Sequence, residues 1–94
     1  MAIKSFADDV TAAFWGGTRI LRFQAFERVA IRKLNELNAV VNLNSLAKIP
    51  GNRLEALKGD RSGQHSIRIN DQWRICFRWK DSDAYDVEIN NHYS

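Results

Sequence analysis

Cysteine is almost absent from this chain. The single thiol, Cys76, leaves no internal disulfide to form and fits a reducing compartment. Histidine is nearly as scarce. His65, His92 and Cys76 have no spacing of the kind that holds zinc, so no metal is expected, and without a glycine-rich phosphate loop no nucleotide cofactor is expected either. No apolar run is long enough for a membrane span, and residues 1–14, with Lys4, Asp8 and Asp9, lack the core of a signal peptide. A cytoplasmic protein without a membrane partner is expected. Repeats, low-complexity tracts and linkers are missing too, so one domain covering 1–94 is expected. Finally, no Lys or Arg follows Lys80.

That last absence exposes a charge asymmetry. The net charge is +3 and the pI about 9.4, which favours an anionic partner without specifying one. All 14 Lys/Arg lie in residues 1–80 with seven of the 11 Asp/Glu, and the remaining four acids fall in residues 81–94. A basic body with an acidic last segment needs a structural account. The rest of the composition, 45% hydrophobic and 27% charged, is that of a folded domain.

Along the chain, residues 3–6 alternate and suggest a first strand. Asp8 and Asp9 mark a helix N-terminus, and Phe6, Val10, Ala13 and Phe14 share one side of a short helix stopped by Gly16-Gly17. From about 23 to 41 the spacing of Phe23, Phe26, Ala30, Leu34, Leu37 and Val41 predicts a second helix with one apolar stripe. Glu27, Arg28, Arg32, Lys33 and Glu36 form its solvated remainder. Residues 42–52 read as a loop with a helical turn around Leu46 and Ile49, and Pro50-Gly51 as a tight turn. Residues 53–57 suggest a strand, followed by a polar loop to Gly63. Residues 64–92 then alternate apolar and polar side chains in strands separated by Asn/Asp turns. The expected fold is α+β, with two N-terminal helices packed on one face of a small antiparallel sheet.

The alternation also predicts pairings. With a turn at 70–72, Ile67 faces Ile75 on the buried side, Ser66 faces Cys76, and Arg68 faces Arg74 on the open side. With a turn at 81–83, Trp79 faces Tyr85, Phe77 faces Val87 and Ile75 faces Ile89. The open side then sets Arg78 beside Asp86, Cys76 beside Glu88, Arg74 beside Asn90 and Gln72 beside His92. Trp73 and Trp79 belong to the core by parity. Arg78 with Asp86 is an ordinary cross-strand ion pair, whereas two arginines directly opposite are destabilising unless an anion lies between them. Arginine's planar fork suits a phosphate. Arg68 and Arg74, with His92 and Tyr93 nearby, supply parts for phosphodiester cleavage without metal: guanidiniums to neutralise the phosphorane and a side chain to move a proton. The plain alternative is a solvated arginine face with an incidental terminal histidine.

The run Leu57-Lys58-Gly59-Asp60-Arg61-Ser62-Gly63, continuing from Ser66-Ile67-Arg68-Ile69-Asn70-Asp71-Gln72-Trp73-Arg74 to Phe77-Arg78-Trp79, resembles the HigB branch of the RelE/ParE toxin superfamily, the plasmid maintenance system killer proteins. Ile3-Lys4-Ser5-Phe6, Leu34-Asn35-Glu36-Leu37 and Asp86-Val87-Glu88-Ile89 fit as well, so the likeness spans nearly the whole chain. It implies an endoribonuclease that enters the ribosomal A site and cuts mRNA by 2′-hydroxyl attack. It also implies a HigA-type helix-turn-helix antitoxin, through which alone the toxin would meet operator DNA. By the resemblance Arg74 is the arginine of the Trp-Arg motif, Arg68 the preceding basic position, and Lys58 an RNA-backbone contact. Arg61, Arg78 and Asn90 are the further candidates for holding RNA. Many relatives end in Asp-Tyr-His, whereas this chain reads Asn90-Asn91-His92-Tyr93-Ser94. A gyrase-poisoning ParE-like toxin, or a degenerate toxin kept as an antitoxin-binding protein, would use the same fold.

Overall fold

The computed structural model describes residues 2–91, so His92 and Tyr93 lie outside the described residues. Helix α1 (Asp9–Trp15) starts where expected. Asp8, in extended backbone, accepts the Thr11 N–H at 2.8 Å, and Asp9 adds negative charge to the first turn. The helix is stitched to the far end of the chain, because the Thr11 hydroxyl accepts the Ile89 N–H at 3.1 Å.

The expected second helix divides in two. Residues Leu21–Phe26 form a 3₁₀ turn, and helix α2 runs only from Glu27 to Ala39. Three residues per turn eclipse Phe23 and Phe26, and both rings meet Trp73, with centroids 5.6 and 5.1 Å away. Ala30, Leu34 and Leu37 continue the buried stripe as predicted. Val41 does not: Val40 turns extended at the helix end, and Val41 is left exposed. Helix α3 (Leu43–Ala47), capped by Asn42, plants Leu46 in the core.

Four antiparallel strands follow in the order β1-β2-β3-β4: Glu55–Ala56, His65–Arg68, Arg74–Lys80 and Asp83–Asn90. The first long hairpin has the predicted register, with Ile67 opposite Ile75, Ser66 opposite Cys76, and Arg68 opposite Arg74. The second hairpin departs from prediction near its turn. Asp81 and Ser82, both left-handed (φ 52° and 68°), make a two-residue turn, so Arg78 faces Tyr85 and Trp79 faces Ala84. A bulge at left-handed Asp86 (φ 52°) then restores the expected pairs Cys76–Glu88, Ile75–Ile89 and Arg74–Asn90. The bulge frees backbone groups for the N-terminal segment: Asp86 N–H meets the Ser5 hydroxyl at 2.9 Å and Val87 N–H the Ser5 carbonyl at 3.0 Å. Residues 3–6 therefore join β4 through two parallel bridges, Ile3–Ala84 and Phe6–Val87, rather than as a continuous strand.

Helices and sheet enclose Phe23, Leu34, Leu37, Leu46, Ile67, Ile75, Phe77 and Val87, with Trp73 and Trp79 half-buried against them. One member of the supposedly solvated helix face is buried. Lys33 is 4% exposed, and its ammonium donates to Asn52 Oδ1 at 2.5 Å. Asn52, wholly buried, donates in turn to the Leu46 carbonyl, and its own carbonyl accepts the Arg68 N–H at 2.7 Å. Burial pushes the Lys33 pKa down, only partly opposed by Glu36.

Two measurements check this knot. Asn52→Ala strands the buried ammonium and is expected to cost about 2–3 kcal/mol in urea unfolding, a penalty for an unpaired buried polar group. Because the Lys33 pKa is lower folded than unfolded, the unfolded chain binds more protons in the window below the ordinary value of 10.5. Stability relative to Lys33→Met should therefore rise with pH through that window; a flat difference would contradict the buried-charge reading.

Candidate functional site

The polar face of the sheet is walled on one side, a correction to the open surface expected from alternation. Beyond β1 the chain turns back, with Leu57 N–H bonding the Gln64 carbonyl at 2.9 Å, and residues Gly59–Arg61 make a 3₁₀ turn. Gly59, at φ 63°, supplies the left-handed bend that opens this turn. Arg61 ties it to the sheet by donating to Gln64 Oε1 at 3.0 Å and to Glu88 Oε1 at 3.2 Å. Between this wall and the strands lies a cleft of about 770 Å³. Ser66, Arg74 and Cys76 contribute from the sheet, residues 55–61 form the wall, and Asn91 completes the lining. Ser66 and Cys76 are buried despite their polar parity.

Arg74 is the best-held cation of the cleft. Its Nε donates to Ser66 Oγ at 2.6 Å and its Nη2 to the Arg53 carbonyl at 2.8 Å, while Glu55 stands 3.4 Å from Nη2. The side chain is 11% exposed, and Nη1 donates to none of the described residues. A guanidinium fixed by one edge keeps the other for a ligand anion. Arg68 lies opposite Arg74 in the backbone ladder, yet its side chain pairs with Asp71 in the 70–72 turn and does not line the cleft. The two arginines thus pair with different acids, Asp71 and Glu55. Each has its own carboxylate, and this relieves the repulsion that the pairing alone implied.

The other expected site residues divide similarly. Lys58 is exposed on the wall, and Arg61 is beside it. Arg78 pairs with Asp86 at 3.4 Å, as expected, although Tyr85 takes the opposite position in the ladder; it lies against Gly63 and outside the cleft lining. Asn90 is buried opposite Arg74, with its amide donating to Glu88 Oε2 at 2.9 Å. Its neighbour Asn91, not Asn90, lines the cleft. The structure therefore brings together Lys58, Arg61 and Arg74 and leaves Arg68 and Arg78 aside.

Sequence reasoning missed the acids of the cleft, Glu55 and Asp60. No period marks them, because the wall is a two-residue strand and a turn. Cys76 was visible by parity, and its chemistry is now defined. Burial raises its pKa most; Glu88 adds to the rise, and Arg61 and Arg74 oppose it. A protonated, buried thiol is a poor nucleophile.

The family model of HigB-like toxins, described as RelE-like toxins of type II toxin–antitoxin systems, matches residues 4–92. Toxin HigB-1 of Vibrio cholerae is 38% identical over 68 residues, 72% of each chain. Endoribonuclease HigB of Proteus vulgaris is 39% identical over 41 residues, 44% of this chain and 45% of that protein. Among solved structures, the YoeB dimer of Staphylococcus aureus superposes with a TM-score of 0.63 at 22% identity, covering 99% of this chain and 98% of that one. YoeB in its heterotetrameric toxin–antitoxin complex with YefM gives 0.62 at 21% identity, over 99% and 100%. At such identities the superpositions establish the fold alone.

The state of Cys76 can be tested directly. Its alkylation by iodoacetamide at neutral pH should run slower than that of a free thiol, since burial and a raised pKa leave less reactive thiolate. A rate equal to that of free cysteine would show an exposed, reactive thiolate instead.

Proposed function

The chain belongs to the HigB-like family of RelE-like toxins of type II toxin–antitoxin systems, and from that premise we propose that it is an endoribonuclease that cuts mRNA in the ribosomal A site. The observation that carries this reading is Arg74, clamped through Nε and Nη2 in a cleft with Lys58 and Arg61 beside it. The relative in Proteus vulgaris named as an endoribonuclease supports the same reaction. A partner antitoxin of the HigA type is proposed by family membership, and the YoeB–YefM complexes support an antitoxin of some kind.

In the proposed reaction the 2′-hydroxyl oxygen attacks the adjacent phosphorus while the bond to the 5′-oxygen breaks. A 2′,3′-cyclic phosphate and a free 5′-hydroxyl result. The attacking hydroxyl gives up one proton, and the leaving oxygen takes one. His92 and Tyr93 are the proposed carriers of these protons, with His92 taken first because the alternation of the sequence over residues 64–92 predicts it on the polar face. Arg74 neutralises the extra negative charge on the equatorial phosphorane oxygens, a role for which no metal is invoked. Arg68 would join it by exchanging exposed Asp71 for phosphate. Lys58, Arg61, Arg78 and Asn90 are proposed to hold the flanking RNA, Asn90 through its bond to Glu88, which also anchors Arg61.

Induced expression should arrest growth and fragment translated mRNA. Arg74→Ala should relieve the arrest and lower single-turnover cleavage on programmed ribosomes by about 10²–10³, the usual cost of one transition-state donor. Arg74→Lys, checked for native circular dichroism, separates loss of charge from loss of fold. Persistent arrest with intact transcripts would instead favour gyrase poisoning, and harmless expression with tight antitoxin binding would favour a degenerate toxin.

A further inference from the structure

Among the described residues, Arg53, Asp81, Ser82 and Asp86 are the non-glycine residues with left-handed backbone. The last three build the turn and the bulge of the second hairpin. Arg53, at φ 45°, lies in no hairpin turn and no bulge, two residues ahead of β1. A long side chain gains nothing from that conformation, which is kept only where the surroundings impose it. Here Asn52 imposes it. Each polar group of this wholly buried residue is bonded on the core side. Its N–H donates to the Ile49 carbonyl at 3.2 Å, and its carbonyl accepts the Arg68 N–H at 2.7 Å. Its Oδ1 accepts from the Lys33 ammonium at 2.5 Å, and its Nδ2 donates to the Leu46 carbonyl at 3.2 Å. The chain leaving Asn52 therefore has one direction, and what it delivers is the Arg53 carbonyl, 2.8 Å from Nη2 of Arg74. That is the shortest contact of Nη2. Rotating φ of Arg53 to a negative value would carry the carbonyl around the N–Cα bond and off Nη2. The Arg53 side chain, by contrast, is exposed and does not line the cleft.

We propose that Arg53 is a positioning residue for RNA cleavage that acts through its main chain and not through its charge. Locked left-handed by Asn52, it holds Nη2 of Arg74 and so turns Nη1 to the scissile phosphate. The proposal rests on the RNA-cleaving reading of the cleft. It reaches beyond the cleft, because the carbonyl is fixed in turn by the buried bond between Asn52 and Lys33 of α2. A cation beside a nucleic-acid cleft is ordinarily a phosphate contact. The two roles separate by experiment.

Arg53→Val, Arg53→Gly and Arg53→Asn all remove the charge and differ in how they tolerate positive φ. The measurement is single-turnover cleavage of mRNA by the full chain over a range of programmed-ribosome concentrations. Arg53→Val, for which the left-handed region is closed, should lower the saturating rate by about 10–100-fold, the scale of a misplaced catalytic group. The half-saturating ribosome concentration should stay unchanged. Arg53→Gly and Arg53→Asn enter that region readily and should rescue the rate to at least about tenfold above that of Arg53→Val. Beside Arg74→Lys, which has no Nη2 to hold, Arg53→Val should cost nothing further. Equal losses in all three substitutions would show a phosphate-binding cation instead. An undiminished rate in Arg53→Val would show a clamp that the reaction does not need, and an equal further loss beside Arg74→Lys would show unfolding. Each of these results overturns the proposal while the nuclease reading stands. If the unaltered chain cuts no mRNA, both fall together.

Discussion

A lysine ammonium under a helix must have an acceptor, and that requirement organises the fold. Lys33 finds it in Asn52 Oδ1, and meeting it fixes the chain around residue 52. The Asn52 carbonyl then takes the Arg68 N–H at the end of β2. The next residue, Arg53, is forced into a left-handed backbone (φ 45°), and its carbonyl accepts from Arg74. Helix packing and the orientation of the central arginine are thereby joined through two adjacent residues. Left-handed backbone at a non-glycine residue costs free energy, and here the neighbouring contacts hold it in place.

The acidic last segment, unexplained by composition, also has a local use. Asp86 pairs with Arg78, Glu88 with Arg61, and Asp83 lies opposite Lys80 in the ladder. The strand neutralises cations that the preceding strand and turn bring beside it. The asymmetry along the sequence becomes near-neutrality in space, and the modest net charge conceals a cleft whose arginines are individually matched.

Period two was legible because its physical cause is simple: a strand with one buried face must alternate. It gave the register of Ile67 with Ile75 and of Cys76 with Glu88. The helical stripe through Phe23, Leu34 and Leu37 was legible for the same reason. What escaped was anything set by one residue's backbone. Asp86 and Ser82 adopt positive φ without a glycine to announce it, so the bulge and the short turn left no mark. Lys33 reads as solvated until Asn52, 19 residues away, is brought to it. Glu55 and Asp60 line the cleft only because residues 55–61 turn beside a face that alternation leaves bare. Family likeness identified Lys58 and Arg74, and it did not distinguish the cleft arginines from Arg68 and Arg78.

The bridge between the Ser5 region and the bulge in β4 spans 81 residues of sequence. That closure cannot form while the chain is partial. During synthesis the N-terminal segment has no strand beside it until residues 83–90 have left the ribosome, and Glu88 and Asn91 reach the cleft no sooner. A nascent chain therefore carries the cations of the cleft without its finished wall. Completion of the cleft thus waits on residues 83–91, however early in the chain its cations are made.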